Sequence, residues 1–358
     1  MDERLERIKS WIGGNKTGPF SVDIIPTNRC NFKCLACHQR SITKEDYYMN
    51  ELTLEKYKKI VDEASDLNVR VIQILGGGEP FLRKDIIEIL KSIKNKKLRG
   101  YAITNGSALN LKTIKKLVDI NWDELAISLD ASDAKTHDYL RQKKGSFDRI
   151  IMAIKAINEE KAKQKKEKPK IIINYLITNL NYNRIVDLVG LCNKLKVQEI
   201  NLMCMLNSSE FVKKLELNRE QHMILLKQMK TASVMSKKYN IKNNFSEISD
   251  FIMNTSGEKN KETKQICLEP FWHLVIGTSG YAVPCNMSLD NCIFPKNNLA
   301  ENVNKKSLKE IWYGKRFEQF RKDIFNPKKR NTLCSECCST IITTSNSDRI
   351  SLKIGEKQ

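Results

Sequence analysis

The sequence predicts an α/β fold, a parallel sheet that is open or partly closed into a barrel, and two observations predict it. Short apolar, β-rich runs alternate with amphipathic helical stretches through the first two-thirds of the chain. Each run is followed by a helix before the next begins, which calls for right-handed crossovers and parallel pairing. In order, an amphipathic helix around Glu3 to Trp11 opens the chain. Strands are expected over 21–25, 70–75, 100–103, 124–129, 170–177 and 198–203. Helices are expected over 53–66, 84–97, 111–119, 146–163 and 182–196, and a further one over 218–239 closes the unit. In such folds chemistry sits on the loops that leave the C-terminal strand ends.

Beyond this unit the pattern changes. A polar stretch, 254–264 (NTSGEKNKETK), reads as a linker. A short hairpin over 273–283 follows, turning at Thr278-Ser279-Gly280, and then a helix over 307–325. The expected organisation is an N-terminal helix (1–20), a core (21–240), a linker (241–265), a small cysteine-bearing domain (266–340) and a tail (341–358). The small domain carries too little apolar surface for an independent core, so a metal staple is expected in it. No internal repeat is present.

At 358 residues, with 41% hydrophobic and 29% charged residues, the chain is neither disordered nor collagen-like. No apolar run reaches the length of a membrane span, and the N-terminus mixes acids with bases where a signal peptide would be basic and then apolar. A cytoplasmic location without membrane contact is expected. The net charge of +20 arises from 62 Lys+Arg against 42 Asp+Glu. Much of the excess lies in two lysine runs, 91–97 and 161–170, which read as solvated helix faces because no aromatics interleave them to stack nucleic-acid bases.

Eleven cysteines in such a chain point to metal or catalytic chemistry rather than disulfides. They fall into two groups. The first, Cys30-Asn31-Phe32-Lys33-Cys34-Leu35-Ala36-Cys37, follows the first strand directly and has no fourth cysteine nearby. Three thiolates could hold an iron-sulfur cubane with one iron left open, or zinc with His38 as a fourth ligand. The adjacency of His38 to Cys37 makes the zinc chelate difficult. The second group is Cys267, Cys285, Cys292, Cys334, Cys337 and Cys338, while Cys192 and Cys204 stand between the two.

The second expected strand ends in Gly76-Gly77-Gly78-Glu79-Pro80, the third in Thr104-Asn105-Gly106 and the fourth in Ser128-Leu129-Asp130. With the CxxxCxxC loop, these resemble the radical S-adenosylmethionine (SAM) enzymes over about Ser21 to Met205. The resemblance implies a partial (β/α)6 barrel in which Cys30, Cys34 and Cys37 hold a 4Fe-4S cluster whose open iron binds SAM. It places Gly77 and Gly78 against the methionine, where a side chain would collide with it, and Glu79 as an acceptor for its amino group. Ser128 and Asp130 would contact ribose and methionine, Asn105 would line the same mouth, and Arg141 is a candidate for the methionine carboxylate. Ala36 departs from the aromatic residue common before the third cysteine, so adenine stacking would fall to Phe32 or His38.

The second group resembles the auxiliary-cluster extension called SPASM, or its shortened twitch form, through Cys267, the Gly280 to Cys285 spacing, Glu310-Ile311-Trp312 and the closing Cys334-Ser335-Glu336-Cys337. The full SPASM continuation after the CxxC is missing. One auxiliary 4Fe-4S cluster on Cys267, Cys285, Cys334 and Cys337 is therefore implied, with Cys292 and Cys338 surplus.

The activity implied is reductive cleavage of SAM, fed by a flavodoxin or ferredoxin-type donor, and hydrogen abstraction from substrate by the 5'-deoxyadenosyl radical. Net oxidation would pass through the auxiliary cluster. The substrate would be a sugar- or cyclitol-like small molecule, or a peptide recognised without a separate leader-binding domain, since only residues 1–20 precede the first strand. A peptide-modifying maturase or an epimerase is the alternative. For the epimerase, Cys204 at the end of the sixth strand would return a hydrogen atom, against its reading as a small core residue. A zinc-stapled nucleic-acid-binding protein would use the same cysteines and charge, but leaves the 76–80 and 128–130 loops unexplained. Of the histidines, His137 reads as a packing or capping residue after the fourth strand, and Cys192 as core.

Overall fold

Six strands carry the parallel pairing that the alternation demands. They are β1 (Ser21–Ile24), β2 (Val71–Ile74), β3 (Arg99–Thr104), β4 (Glu124–Ser128), β5 (Lys170–Leu176) and β6 (Glu199–Met203). The computed structural model describes residues 3–37, 50–205, 210–256, 267–285 and 299–326 and positions 329 and 334. Helix α1 (Glu3–Ile12) precedes β1; α2 (Leu54–Asp66), α3 (Ile86–Asn95) and α4 (Leu111–Asp119) follow β1, β2 and β3. Helices α5 (Ala134–Arg141) and α6 (Ser146–Lys163) lie between β4 and β5, and α7 (Ile185–Lys194) between β5 and β6. The turn α8 (Glu210–Lys213), helix α9 (Arg219–Lys238), strand β7 (Lys242–Asn243) and helix α10 (Phe245–Ser256) complete this part.

Local chemistry sets the helix starts. Thr53 and Asn110 accept the Lys56 and Thr113 N–H groups at the heads of α2 and α4, and Asn218 with Gln221 forms a capping box on α9. Alternate strand residues face opposite sides. One side, with Val22, Ile24, Ile72, Ile74, Ile127, Ile171, Ile173 and Leu202, packs under the helices in the main core. In register, Asp23 lies opposite Gln73, Tyr101 opposite Glu124 and Asn174 opposite Asn201, so the other side of the sheet carries a set of polar side chains. There the Asn201 amide donates to Asn174 at 3.2 Å and Asn244 donates to Asn201 at 2.9 Å.

The C-terminal hairpin joins this sheet instead of standing apart. Strand β8 (His273–Ile276) pairs parallel with β1, β9 (Tyr281–Val283) pairs antiparallel with β8, and β10 (Glu301–Asn302) antiparallel with β9. Among the described residues the result is one open ten-stranded sheet in the order β10-β9-β8-β1-β2-β3-β4-β5-β6-β7, a partial barrel. The single helix expected over 307–325 is two, α11 (Leu308–Trp312) and α12 (Lys315–Ile324). Gly314 takes an extended conformation at the break, where a Cβ would meet the Glu310 carbonyl oxygen at 2.5 Å.

The expected linker 241–265 is also largely structured. Ile241, Phe245, Ile248 and Ile252 are buried in the main core, and their helical spacing places α10 against α9 and β6. The polar residues 257–264 lie outside the described residues.

The β1–β8 seam holds a buried charge cluster. His273 Nε2 lies 2.8 Å from Asp23 Oδ2, and its Nδ1 lies 3.8 Å from Glu269. Burial by itself would lower the His273 pKa, but the two carboxylates outweigh it and hold the imidazole up to about 10. An unfolded histidine titrates near ~6.5, so this ion pair stabilises the fold fully below that pH and its contribution is lost as pH rises through about 10. The urea midpoint of the wild type is expected to fall over that window, whereas His273→Gln starts lower at about pH 6 and changes less. Parallel pH profiles for the two proteins would refute the pairing.

Candidate active site

The cysteine loop leaves the C-terminal end of β1 and is held from two sides by the loops after β2 and β3. Gly78 N–H donates to the Thr27 carbonyl and Glu79 N–H to the Arg29 carbonyl, both at 2.8 Å. A Cβ on Gly77 would sit 2.3 Å from Asn28 Oδ1, and one on Gly78 would sit 2.1 Å from the Arg29 carbonyl oxygen. Gly78 is thus pressed against the backbone at the root of the cysteine loop, and Gly77 against the Asn28 and Ile25 side chains.

Glu79 is almost fully buried and closes the second clasp. Its Oε1 accepts from Thr104 Oγ1 at 2.7 Å and from Phe81 N–H at 3.1 Å, and its Oε2 accepts from Asn105 N–H at 2.6 Å. Burial pushes the carboxyl up, and these three donors oppose that shift. Asn105 in turn reaches the cysteine loop, donating to Cys30 Sγ at 3.9 Å and to Asn31 Oδ1 at 3.1 Å.

Helix α5 holds the third side. Leu35 N–H donates to the Leu140 carbonyl at 2.8 Å, and Arg141 Nη1 donates to Cys34 Sγ at 3.8 Å. The Arg141 Nε lies 2.6 Å from Asp130 Oδ2, while Asp130 Oδ1 accepts from Leu176 N–H at 3.1 Å. His137 is fully buried and its Nδ1 accepts the Asp130 N–H at 3.1 Å. Burial lowers its pKa to about 4, so the ring is neutral and serves to cap the Asp130 segment. Ser128 ends β4, half-buried.

Cys30 is exposed, and Cys34 and Cys37 are half-buried. Among the described residues no three His, Cys, Asp or Glu side chains gather around a point as the ligands of a single ion do. The donor set fits a 4Fe-4S cluster: three thiols stand in one loop and two of the sulfurs receive N–H groups, while burial pushes the Cys30 thiol up. Phe32 is buried at this loop, whereas His38 lies outside the described residues.

At the other end of the chain Cys267, Cys285 and Cys334 are half-buried; Cys292, Cys337 and Cys338 lie outside the described residues. Cys267 immediately precedes the turn that leads into β8, and Cys285 follows β9. Cys192 is fully buried in α7, and Cys204 is partly buried against the core with its thiol pushed up to about 12 by burial.

Two residues that hold the site carry no motif. Arg83, just after the glycine loop, donates to the Pro26 and Leu52 carbonyls at 3.1 and 2.8 Å and lies 4.8 Å from the Tyr57 ring centre. Asn181 donates to the Asp130 carbonyl at 2.7 Å. An arginine three residues after the Glu-Pro pair was a readable signal; an asparagine in a loop was not.

Residues 24–192 match the model of the radical SAM superfamily, and residues 267–338 match an iron-sulfur cluster-binding domain, SPASM. Over 134 residues the chain is 33% identical to the Fe-coproporphyrin III synthase of Methanosarcina barkeri, a stretch covering 37% of this chain and 33% of that protein. Over 173 residues it is 29% identical to a probable GTP 3',8-cyclase of Methanocaldococcus jannaschii, covering 48% of this chain and 54% of that one. The chain thus spans only about a third to a half of these curated relatives. In fold it is similar to Streptococcus suis SuiB bound to S-adenosylmethionine, with a TM-score of 0.70 at 20% identity over 94% of this chain and 75% of that chain. It is likewise similar to anSMEcpe with bound AdoMet, with a TM-score of 0.63 at 16% identity over 90% of this chain and 88% of that one.

The glycine contact yields a direct test. Gly78→Ala is expected to displace the cysteine loop, cost about 1–3 kcal/mol of stability and lower the iron and sulfide bound per chain after anaerobic reconstitution. An alanine variant with wild-type iron content and melting temperature would show that the contact does not position the loop.

Proposed function

We propose that this chain, which carries a radical SAM domain followed by a SPASM domain, cleaves SAM reductively and abstracts hydrogen from a polar substrate in a net oxidation. Its radical SAM domain binds a 4Fe-4S cluster and SAM, and its SPASM domain binds auxiliary iron-sulfur chemistry. The observation that carries the reading is the meeting of the loops after β1, β2 and β3 with helix α5 at one sheet end, with N–H groups aimed at Cys30 and Cys34.

In this reading Cys30, Cys34 and Cys37 ligate the cluster. When bound, that cluster and SAM would supply a 5'-deoxyadenosyl radical, and an auxiliary cluster would supply an acceptor for the one electron that a net oxidation leaves over. Gly77, Gly78 and Glu79 line the SAM site with Asn105, whose N–H meets the Glu79 carboxylate, and Ser128 and Asp130 contribute from the end of β4. Cys267, Cys285, Cys334 and Cys337 hold the auxiliary cluster. The protein positions and shields these groups; the hard chemistry is theirs.

The polar inner face of the sheet, with Gln73, Tyr101, Asn174 and Asn201, supports a substrate that makes hydrogen bonds. Two substrate classes remain in play, and the relatives divide between them. The curated relatives carry names of small-molecule chemistry, a coproporphyrin synthase and GTP cyclases, whereas SuiB is also described bound to the precursor peptide SuiA. A flavodoxin or ferredoxin-type protein is the proposed electron donor. Among the described residues no helix is long and apolar enough to cross a membrane.

Anaerobically reconstituted protein is expected to form 5'-deoxyadenosine under strong reductant, and the triple variant Cys30→Ala, Cys34→Ala, Cys37→Ala to form none. Product from the triple variant would overturn the assignment. For the auxiliary site, replacing Cys334 and Cys337 by alanine is expected to leave 5'-deoxyadenosine formation but abolish the oxidised product. Undiminished oxidised product would make that cluster purely structural.

A further inference from the structure

We propose that Arg141 is a positioning residue that sets the reduction potential of the first cluster through Cys34, and is not primarily a contact for the SAM carboxylate. This rests on the reading that Cys30, Cys34 and Cys37 hold that cluster. The guanidinium is placed by interactions that owe nothing to SAM. Its Nη1 donates to Cys34 Sγ at 3.8 Å, and its Nε lies 2.6 Å from Asp130 Oδ2. Both side chains are largely withdrawn from water, at 14% and 7% exposure for Arg141 and Asp130.

The elements that carry the guanidinium and its partners are fixed by several bonds. Asp133 caps the start of α5 by accepting the Thr136 N–H at 2.9 Å. Asp138 on the same helix accepts from Ser146 Oγ at 2.8 Å and from Phe147 N–H at 2.9 Å, locking α5 to α6. The Leu35 N–H to Leu140 carbonyl bond ties the cysteine loop to the residue next to Arg141. Asp130 is held by Leu176, by Asn181 and by neutral His137. These bonds fix the helix that carries Arg141 and the carboxylate beside it.

One-electron reduction by the external donor adds a negative charge beside Cys34. A fixed cation that donates an N–H to that sulfur favours the reduced state, and weak screening in a buried setting preserves the effect. Asp130 keeps the guanidinium oriented, with its second nitrogen turned to sulfur; a lysine ammonium lacks the fork needed to hold both partners.

The test is an anaerobic redox titration of the full-length protein followed by electron paramagnetic resonance, without SAM. The signal of the first cluster is identified by its loss in the Cys30, Cys34, Cys37 triple alanine variant. SAM affinity is measured separately by equilibrium dialysis. Arg141→Gln is expected to shift the midpoint to a more negative potential with iron content retained, and Arg141→Lys to fall between it and the wild type. An unchanged midpoint in Arg141→Gln overturns the inference, and does so in favour of the carboxylate contact if SAM affinity alone drops. Should the glutamine variant bind no cluster, the lysine variant decides: a negative shift supports the inference and a wild-type midpoint overturns it. If the wild type itself shows no signal that the triple variant loses, the cluster assignment fails instead.

Discussion

The cysteine loop has its position because the backbone of the glycine loop comes within hydrogen-bonding distance of residues 27–29, with no room for a Cβ at Gly77 or Gly78. Much of the site hangs on that approach. It fixes Glu79 so that its carboxylate can reach the end of β3, and Asn105, next to the anchored Thr104, then reaches back to Cys30. Three consecutive strand ends are joined in this way through one buried carboxylate and a pair of glycines. A buried carboxylate costs several kcal/mol unless its oxygens are satisfied, and here three donors satisfy them. The burial is tolerated because it orders three loops at once.

The C-terminal part is tied to the same frame by the shared sheet and by an aromatic box. Arg321 lies 4.4 Å from the Trp11 ring centre and 4.1 Å from that of Trp312, and donates to the Pro270 and Trp312 carbonyls at 2.7 and 2.9 Å. Helix α1, the turn after Cys267 and helix α11 therefore share one cation. Burial lowers the Arg321 pKa to about 9, the cost of placing a guanidinium among rings. Glu63 on α2 accepts the Leu308 N–H at 2.7 Å and adds a second link. The core that the small domain lacked by itself is borrowed from the barrel, which is why its hairpin continues the sheet at β1.

Elements governed by short-range chemistry were legible in the sequence. Helices α4 and α6 have the expected bounds, because Asn110 caps one and a long amphipathic run defines the other. The loops bearing Cys30 to Cys37, Gly76 to Pro80 and Asn105 emerge together at one sheet end because parallel topology puts every strand exit there. What depends on distant partners was not legible. Nothing local to 273–276 says that β8 pairs parallel with β1, and the apolar spacing of Phe245, Ile248 and Ile252 was hidden by polar neighbours until α9 and β6 covered it. The roles within the site show the same limit. Motif position singled out Gly77 and Gly78, but only the path of residues 28 and 29 shows what a side chain there would meet.

The charge excess can be located by the same reasoning. The lysine runs 91–97 and 161–170 close α3 and α6 and lead into β3 and β5, so they lie where strands begin. There Lys94 and Lys168 both bind Asp123, Lys96 binds Asp62 at 2.8 Å, and Lys166 donates to the Val118 and Asp119 carbonyls. Strand β5 puts roughly 20 Å, at about 3.3 Å per residue, between that end and the loops that carry the cysteines. A Debye length is about 8 Å at physiological ionic strength, so these already paired lysines project little field to the mouth. The charges that matter there are the local ones, among them buried Glu79, Asp130 with Arg141, and Arg29 with Glu51. Among the described residues, orientation of whatever binds at that mouth therefore rests on directed hydrogen bonds and on local ion pairs, Asp130 with Arg141 and Arg29 with Glu51, and the two lysine runs add little to it.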